Sequence, residues 1–165
     1  MSKSVTTALL AAVIVFAGAC SSGSPTKATT DTVPNYQGQY TGTSAVANCV
    51  EEGGFAGFCQ GVGFDNGATF PISLNLTQTD KTVTGSIAVL GLTGTLQGTA
   101  STSGLTATGT MADITSSGVT LSSSISSWGT TLSGNALSGS YKIQFRTNAT
   151  TGSATMTANI VQLTR

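Results

Sequence analysis

Histidine is absent from this 165-residue chain, charged residues make up only 7% of it, and it holds a single tryptophan and three prolines. Without an imidazole there is no Ser-His-Asp or Cys-His pair and no general base poised at neutral pH. Six Lys and Arg balance six Asp and Glu, so the basic footprint of a nucleic-acid binder is missing, and no polybasic run offers attraction to an anionic membrane. Long hydrophobic runs are also missing. The apolar, uncharged segment Val5–Ala17 is too short to span a bilayer.

Little remains from which to build a catalyst. A serine-lysine dyad needs a desolvated lysine, whereas Lys81 falls in an expected turn and Lys142 on an expected outer face. Beyond residue 35 the candidate carboxylates are Glu51, Glu52, Asp65, Asp80 and Asp113. Glu51 and Glu52 read as solvated, and Asp65-Asn66-Gly67 as a tight turn in preference to a calcium loop. No enzymatic activity and no cofactor are expected.

Serine, threonine and glycine fill the space that charge leaves, yet 39% of the residues are hydrophobic, enough for a core. A domain of about 130 residues can bury around two-thirds of its unfolded surface. The chain opens with one cation, Lys3, then the apolar segment, then the small residues Ala17-Gly18-Ala19 before Cys20. This order is that of an export signal. Small residues ending in a cysteine resemble the lipobox of bacterial lipoproteins. The resemblance implies cleavage between Ala19 and Cys20, a diacylglycerol on the Cys20 sulfur and an acyl group on its new amine. Several acyl chains, at about 0.8 kcal/mol per buried methylene, make an essentially permanent membrane anchor. An ordinary signal cleaved at the same Ala-x-Ala site would leave Cys20 a free thiol instead.

In that family a serine after the cysteine, here Ser21, is similar to the signal for transfer to the outer membrane of a diderm cell. The polar stretch Ser21-Ser22-Gly23-Ser24-Pro25 and onward to Pro34 reads as a flexible tether. The expected organisation is therefore a signal peptide over 1–19, lipidated Cys20 and a linker over 20–35, and a folded domain over 36–165. With Cys20 given to lipid, Cys49 and Cys59 are left to pair in an oxidising compartment. Two thiolates without histidine make a poor zinc site.

From Tyr36 onward apolar and polar residues alternate with period two. Phe70, Ile72, Leu74 and Leu76 share one face of a segment whose other face carries Thr69, Ser73, Asn75 and Thr77. Seven further segments follow this rule, joined by short turns such as Thr79-Asp80-Lys81 and Thr102-Ser103-Gly104, which favour hairpins. The expectation is an all-β, eight-stranded antiparallel up-and-down barrel, preferred to a sandwich because Gly85, Gly94, Gly98, Gly109 and Gly139 fall mid-strand on the inner face. A transmembrane barrel would carry an apolar outer band, whereas this outer face is threonine and serine.

At this level the domain resembles lipocalin and avidin-like small ligand-binding barrels in strand count, strand length and meander order. In the opening Tyr36-Gln37-Gly38-Gln39-Tyr40, Tyr40 stands where lipocalins carry a tryptophan. The least ordinary segment is Cys49 to Phe70, with Phe55, Phe58, Phe64 and Phe70 among six glycines. Such a loop reads as a lid or a hydrophobic cap at a barrel mouth. The expected function is a lipid-anchored cell-envelope protein, in the outer membrane if the cell is diderm, with Tyr40, Phe55, Phe58, Leu96, Tyr141 and Phe145 around a small apolar ligand. A solid-cored lipoprotein that meets another envelope component is the alternative.

Overall fold

The computed structural model describes residues 32–165. The expected signal segment, Cys20 and the tether as far as Asp31 lie outside the described residues. The domain consists of β1 (Gly38–Gly53), β2 (Thr69–Thr79), β3 (Thr82–Val89), β4 (Leu92–Ser101), β5 (Gly104–Met111), β6 (Ile114–Ser116), β7 (Val119–Ser133), β8 (Ala136–Thr147) and β9 (Gly152–Thr164). One short helix, α1 (Phe58–Gly61), lies between β1 and β2.

Eight of these strands close into an antiparallel ring. The order runs β5-β4-β3-β2-β1-β9-β8-β7, and pairing of β5 with β7 completes the circle. β6 stands outside the ring and pairs only with β7. Closure follows from the sequence pattern: Ile72, Leu74, Leu76, Val83, Ile87 and Val89 are buried within the barrel. Most strand hydroxyls face out, some linked across strands, as in Thr77 to Thr84 at 3.0 Å and Thr95 to Thr110 at 3.1 Å, while Ser44, Ser123, Thr130 and Ser153 are buried.

Mid-strand glycines let neighbouring strands approach closely. A Cβ at Gly98 would overlap the Thr106 carbonyl oxygen and lie 2.5 Å from the Ala107 Cβ, and one at Gly94 would lie 2.7 Å from the Met111 sulfur. The sequence suggests that such glycines leave room inside for a ligand. The structure corrects that reading, because Ala107 and Met111 already occupy the space a side chain would take.

The barrel is unequal in height. β1, β7, β8 and β9 are 12 to 16 residues long, against 8 to 11 for β2 to β5. Beyond Ala45 the first strand has left β2 and pairs with β9 alone, as far as Gly53 opposite Gly152. The tall wall needs bulges, seen at Val46/Asn48 in β1 and at Ile125/Ser127 in β7, which add the local twist and bend that closure requires.

At one end, the base, the chain enters and the ring is sealed. Val33 packs against the core, the Tyr36 N–H donates to Gln78 Oε1 at 2.8 Å, and Gln78 Nε2 donates to the Pro34 carbonyl at 3.2 Å. The folded region thus takes in residues 33–35, which the sequence places in the tether. Arg165 donates from Nη1 to the Gln37 and Asn35 carbonyls at 2.7 and 3.2 Å, and its guanidinium lies 5.8 Å from the Tyr40 ring centre.

Candidate site at the capped mouth

The opposite end is covered by the β1–β2 connection. Cys49, on β1, and Cys59, in α1, form a disulfide with their Cα atoms 6.0 Å apart. The carboxylate of Glu51 accepts the N–H groups of Gly57 at 2.8 Å and Cys59 at 2.5 Å. Glu51 is therefore not the solvated carboxylate its sequence suggests. It holds the turn before α1, where backbone N–H groups lack helical partners. The Asp65-Asn66-Gly67 turn is present, with the Ala68 N–H donating to the Asp65 carbonyl at 2.9 Å.

Fastened in this way, the cap sets its phenylalanines on the mouth. Phe58 meets Phe55 at 5.3 Å and Phe145 of β8 at 5.3 Å, while Phe64 meets Phe70 at 5.8 Å and Phe145 at 5.5 Å. Edge-on and tilted aromatic pairs at these separations stabilise beyond their buried area. Phe55, Phe64 and Phe145 are buried, whereas Phe58 and Phe70 are partly open.

Two clefts flank Phe58. One, of about 220 Å³, lies between the cap and the low wall and is lined only by apolar residues, including Val62, Phe70, Leu90, Leu92 and Ile114. The other, of about 460 Å³, is bounded by Phe55, Val119, Thr147 and Thr150. Phe58 and Leu121 line both, and no charged side chain lines either. Three of the large apolar side chains left exposed on the domain, Val62, Ile114 and Val119, gather here.

Leu90 carries a second signal. It sits with φ +58° before Gly91 at φ +74°, the two-residue type I′ turn that asparagine-glycine makes most readily. A leucine in the left-handed region costs roughly 1–2 kcal/mol. Its side chain lines the smaller cleft, and residues held in such conformations gather at functional sites.

The expected ligand contacts thus divide. Phe55, Phe58 and Phe145 meet at the mouth. Leu96 and Tyr141 are buried in the barrel, and Tyr40 lies toward the base under Arg165. Tyr141 stacks on Trp128 with ring centres 5.3 Å apart, and its hydroxyl shares a 2.6 Å hydrogen bond with that of Ser44. Sequence reading missed Leu90, Ile114 and Leu121 as a group, although a leucine in place of asparagine before Gly91 was a visible oddity.

The buried tyrosines have a measurable consequence. Burial raises the pKa of Tyr141, with the Ser44 hydroxyl opposing, and that of Tyr40, with the Arg165 charge opposing. Burial likewise raises that of Tyr36, against the Leu132 backbone. A pKa higher in the folded than in the unfolded chain adds stability that is complete below the unfolded value of about 10 and is lost as pH climbs through the folded one. These are the chain's three tyrosines. Tyrosinate absorbance should therefore appear above pH 10, in step with loss of far-ultraviolet circular dichroism. A gradual titration around pH 10 with the fold intact would contradict this.

The fold and the site define a class: an eight-stranded up-and-down β-barrel with large buried side chains at its centre and an apolar, disulfide-fastened mouth. No known protein family, curated protein or solved structure matches this chain.

Proposed function

We propose that this protein is a cell-envelope lipoprotein, anchored through lipid on Cys20, that binds a small apolar ligand at its capped mouth. The observation that supports ligand binding is the 220 Å³ cleft bounded by apolar side chains alone. It opens on the surface, so a ligand needs no passage through the barrel. The role is binding and not catalysis, a reading supported by the engagement of Glu51 with two backbone N–H groups. The anchor rests on Ala17-Gly18-Ala19-Cys20.

Two measurements test the proposal. Growth with labelled fatty acid should label the wild type and not Cys20→Ala, and an unlabelled wild type would overturn the anchor. Nile red should bind the full-length Cys20→Ala chain saturably, and Leu90→Asn should weaken binding about tenfold or more while leaving Tm within a few degrees. The stability is retained because asparagine relieves the left-handed backbone by roughly 1–2 kcal/mol, which offsets the lost apolar contact. Equal binding by both chains would place the dye elsewhere.

A second reading, an envelope interaction module with no small ligand, draws on the filled centre around Trp128 and Tyr141. Absence of saturable dye binding would favour it.

A further inference from the structure

Resting on the mouth as the binding site, we infer that the ligand is an uncharged single-chain amphiphile whose hydrocarbon tail fills the small cleft and whose polar end crosses Phe58 and Leu121 into the larger one. The two clefts share those side chains and no others among their linings. Their chemistry differs. The smaller is lined by apolar residues alone, while the lining of the larger also includes Thr147, Thr150, Gly54 and Gly57. A molecule that matches both has an apolar part and a hydrogen-bonding part.

Charge sets the nature of the polar end. Neither lining includes Asp, Glu, Lys or Arg, and the carboxylate of Glu51 already holds the Gly57 and Cys59 N–H groups. An ionised head group would lose hydration here without gaining a counter-charge. An alcohol, ester or glycoside head would keep its hydrogen bonds.

Size sets the tail. At roughly 30 Å³ per methylene, the volume a water molecule takes in the liquid, the 220 Å³ cleft holds about seven carbons. Longer chains must extend past Phe58. Phe58 and Leu121, which line both clefts, are each only partly buried.

The test uses 1-hexanol, 1-octanol, 1-decanol and the carboxylates of matching length, titrated into the full-length Cys20→Ala chain and followed by amide NMR shifts. Affinity should rise about fourfold per methylene, the equivalent of 0.8 kcal/mol for each, and continue rising from octanol to decanol. Shifts at Leu90 and Ile114 should appear with every alcohol, and those at Gly57 and Ala149 should grow with the longer ones. The carboxylates should bind at least tenfold more weakly, and Val119→Lys, at an exposed position on the larger cleft, should narrow or reverse that preference. A plateau at octanol with no shift at Gly57 or Ala149 would overturn the two-cleft ligand while leaving the mouth as a binding site. Equal affinity for carboxylates would overturn the neutral head. Failure of every alcohol to bind would overturn both this inference and the binding role beneath it.

Discussion

Replacing Trp128 with alanine should cost the barrel about 3–5 kcal/mol, the range for removing a large aromatic side chain from a packed core. Trp128 is 2% exposed, it stacks on Tyr141, and its Nε1–H donates to the Thr130 hydroxyl at 3.0 Å. Truncation would therefore open a void, remove a ring contact and leave a buried hydroxyl without its donor. Trp128→Phe keeps a six-membered ring but loses the pyrrole part of the indole together with its donor, so it should fall about 1–3 kcal/mol below the wild type, less than the alanine variant. Urea unfolding followed by far-ultraviolet circular dichroism measures both, since fluorescence from the sole tryptophan is lost. A change under about 1 kcal/mol for the alanine variant would mean that the centre is not packed around this residue.

The double variant Cys49→Ser, Cys59→Ser should be destabilised by about 3 kcal/mol on the chain-entropy account of a short closed loop. The loss should not be uniform. Glu51 and the phenylalanine cluster still hold the cap, so the barrel remains folded while the cap opens more often. Hydrogen exchange should accelerate most over residues 55–64 and least in β2 to β4, whose ladders do not involve the bridge. Equal acceleration in both regions would show that cap and barrel open only together.

Much of this architecture could be read from alternation. The apolar set Ile72, Leu74 and Leu76 and its successors point inward as period two requires, and their short turns make each strand the partner of the next. The reading failed where the period breaks. Ile125 and Trp128 are both buried, three positions apart, because the bulge between Ile125 and Ser127 shifts the phase by one. A strand read by strict alternation stops at Ile125, yet β7 runs on to Ser133.

β1 escaped in a similar way. Its second half, Asn48 to Gly53, rises above the short wall and is largely exposed or half-exposed, so no buried face announces it. The role of Glu51 depends on distances across a loop that residue types do not encode. The cysteine pair was legible by counting. The cleft was not, since Ile114 and Leu121 are partners in the β6–β7 hairpin and only closure of the barrel brings that hairpin to Leu90 on the β3–β4 turn.

Closure itself imposes an order on folding. The last strand in sequence, β9, pairs with the first, with Thr41 opposite Thr164, the most distant strand partners in sequence that the barrel contains. Until residues 152–164 join the sheet, β1 and β8 each present an unpaired edge, the kind that recruits other strands. Before β9 docks, the domain is an open sheet with two adhesive margins, and the same thirteen residues that close the ring also silence both edges.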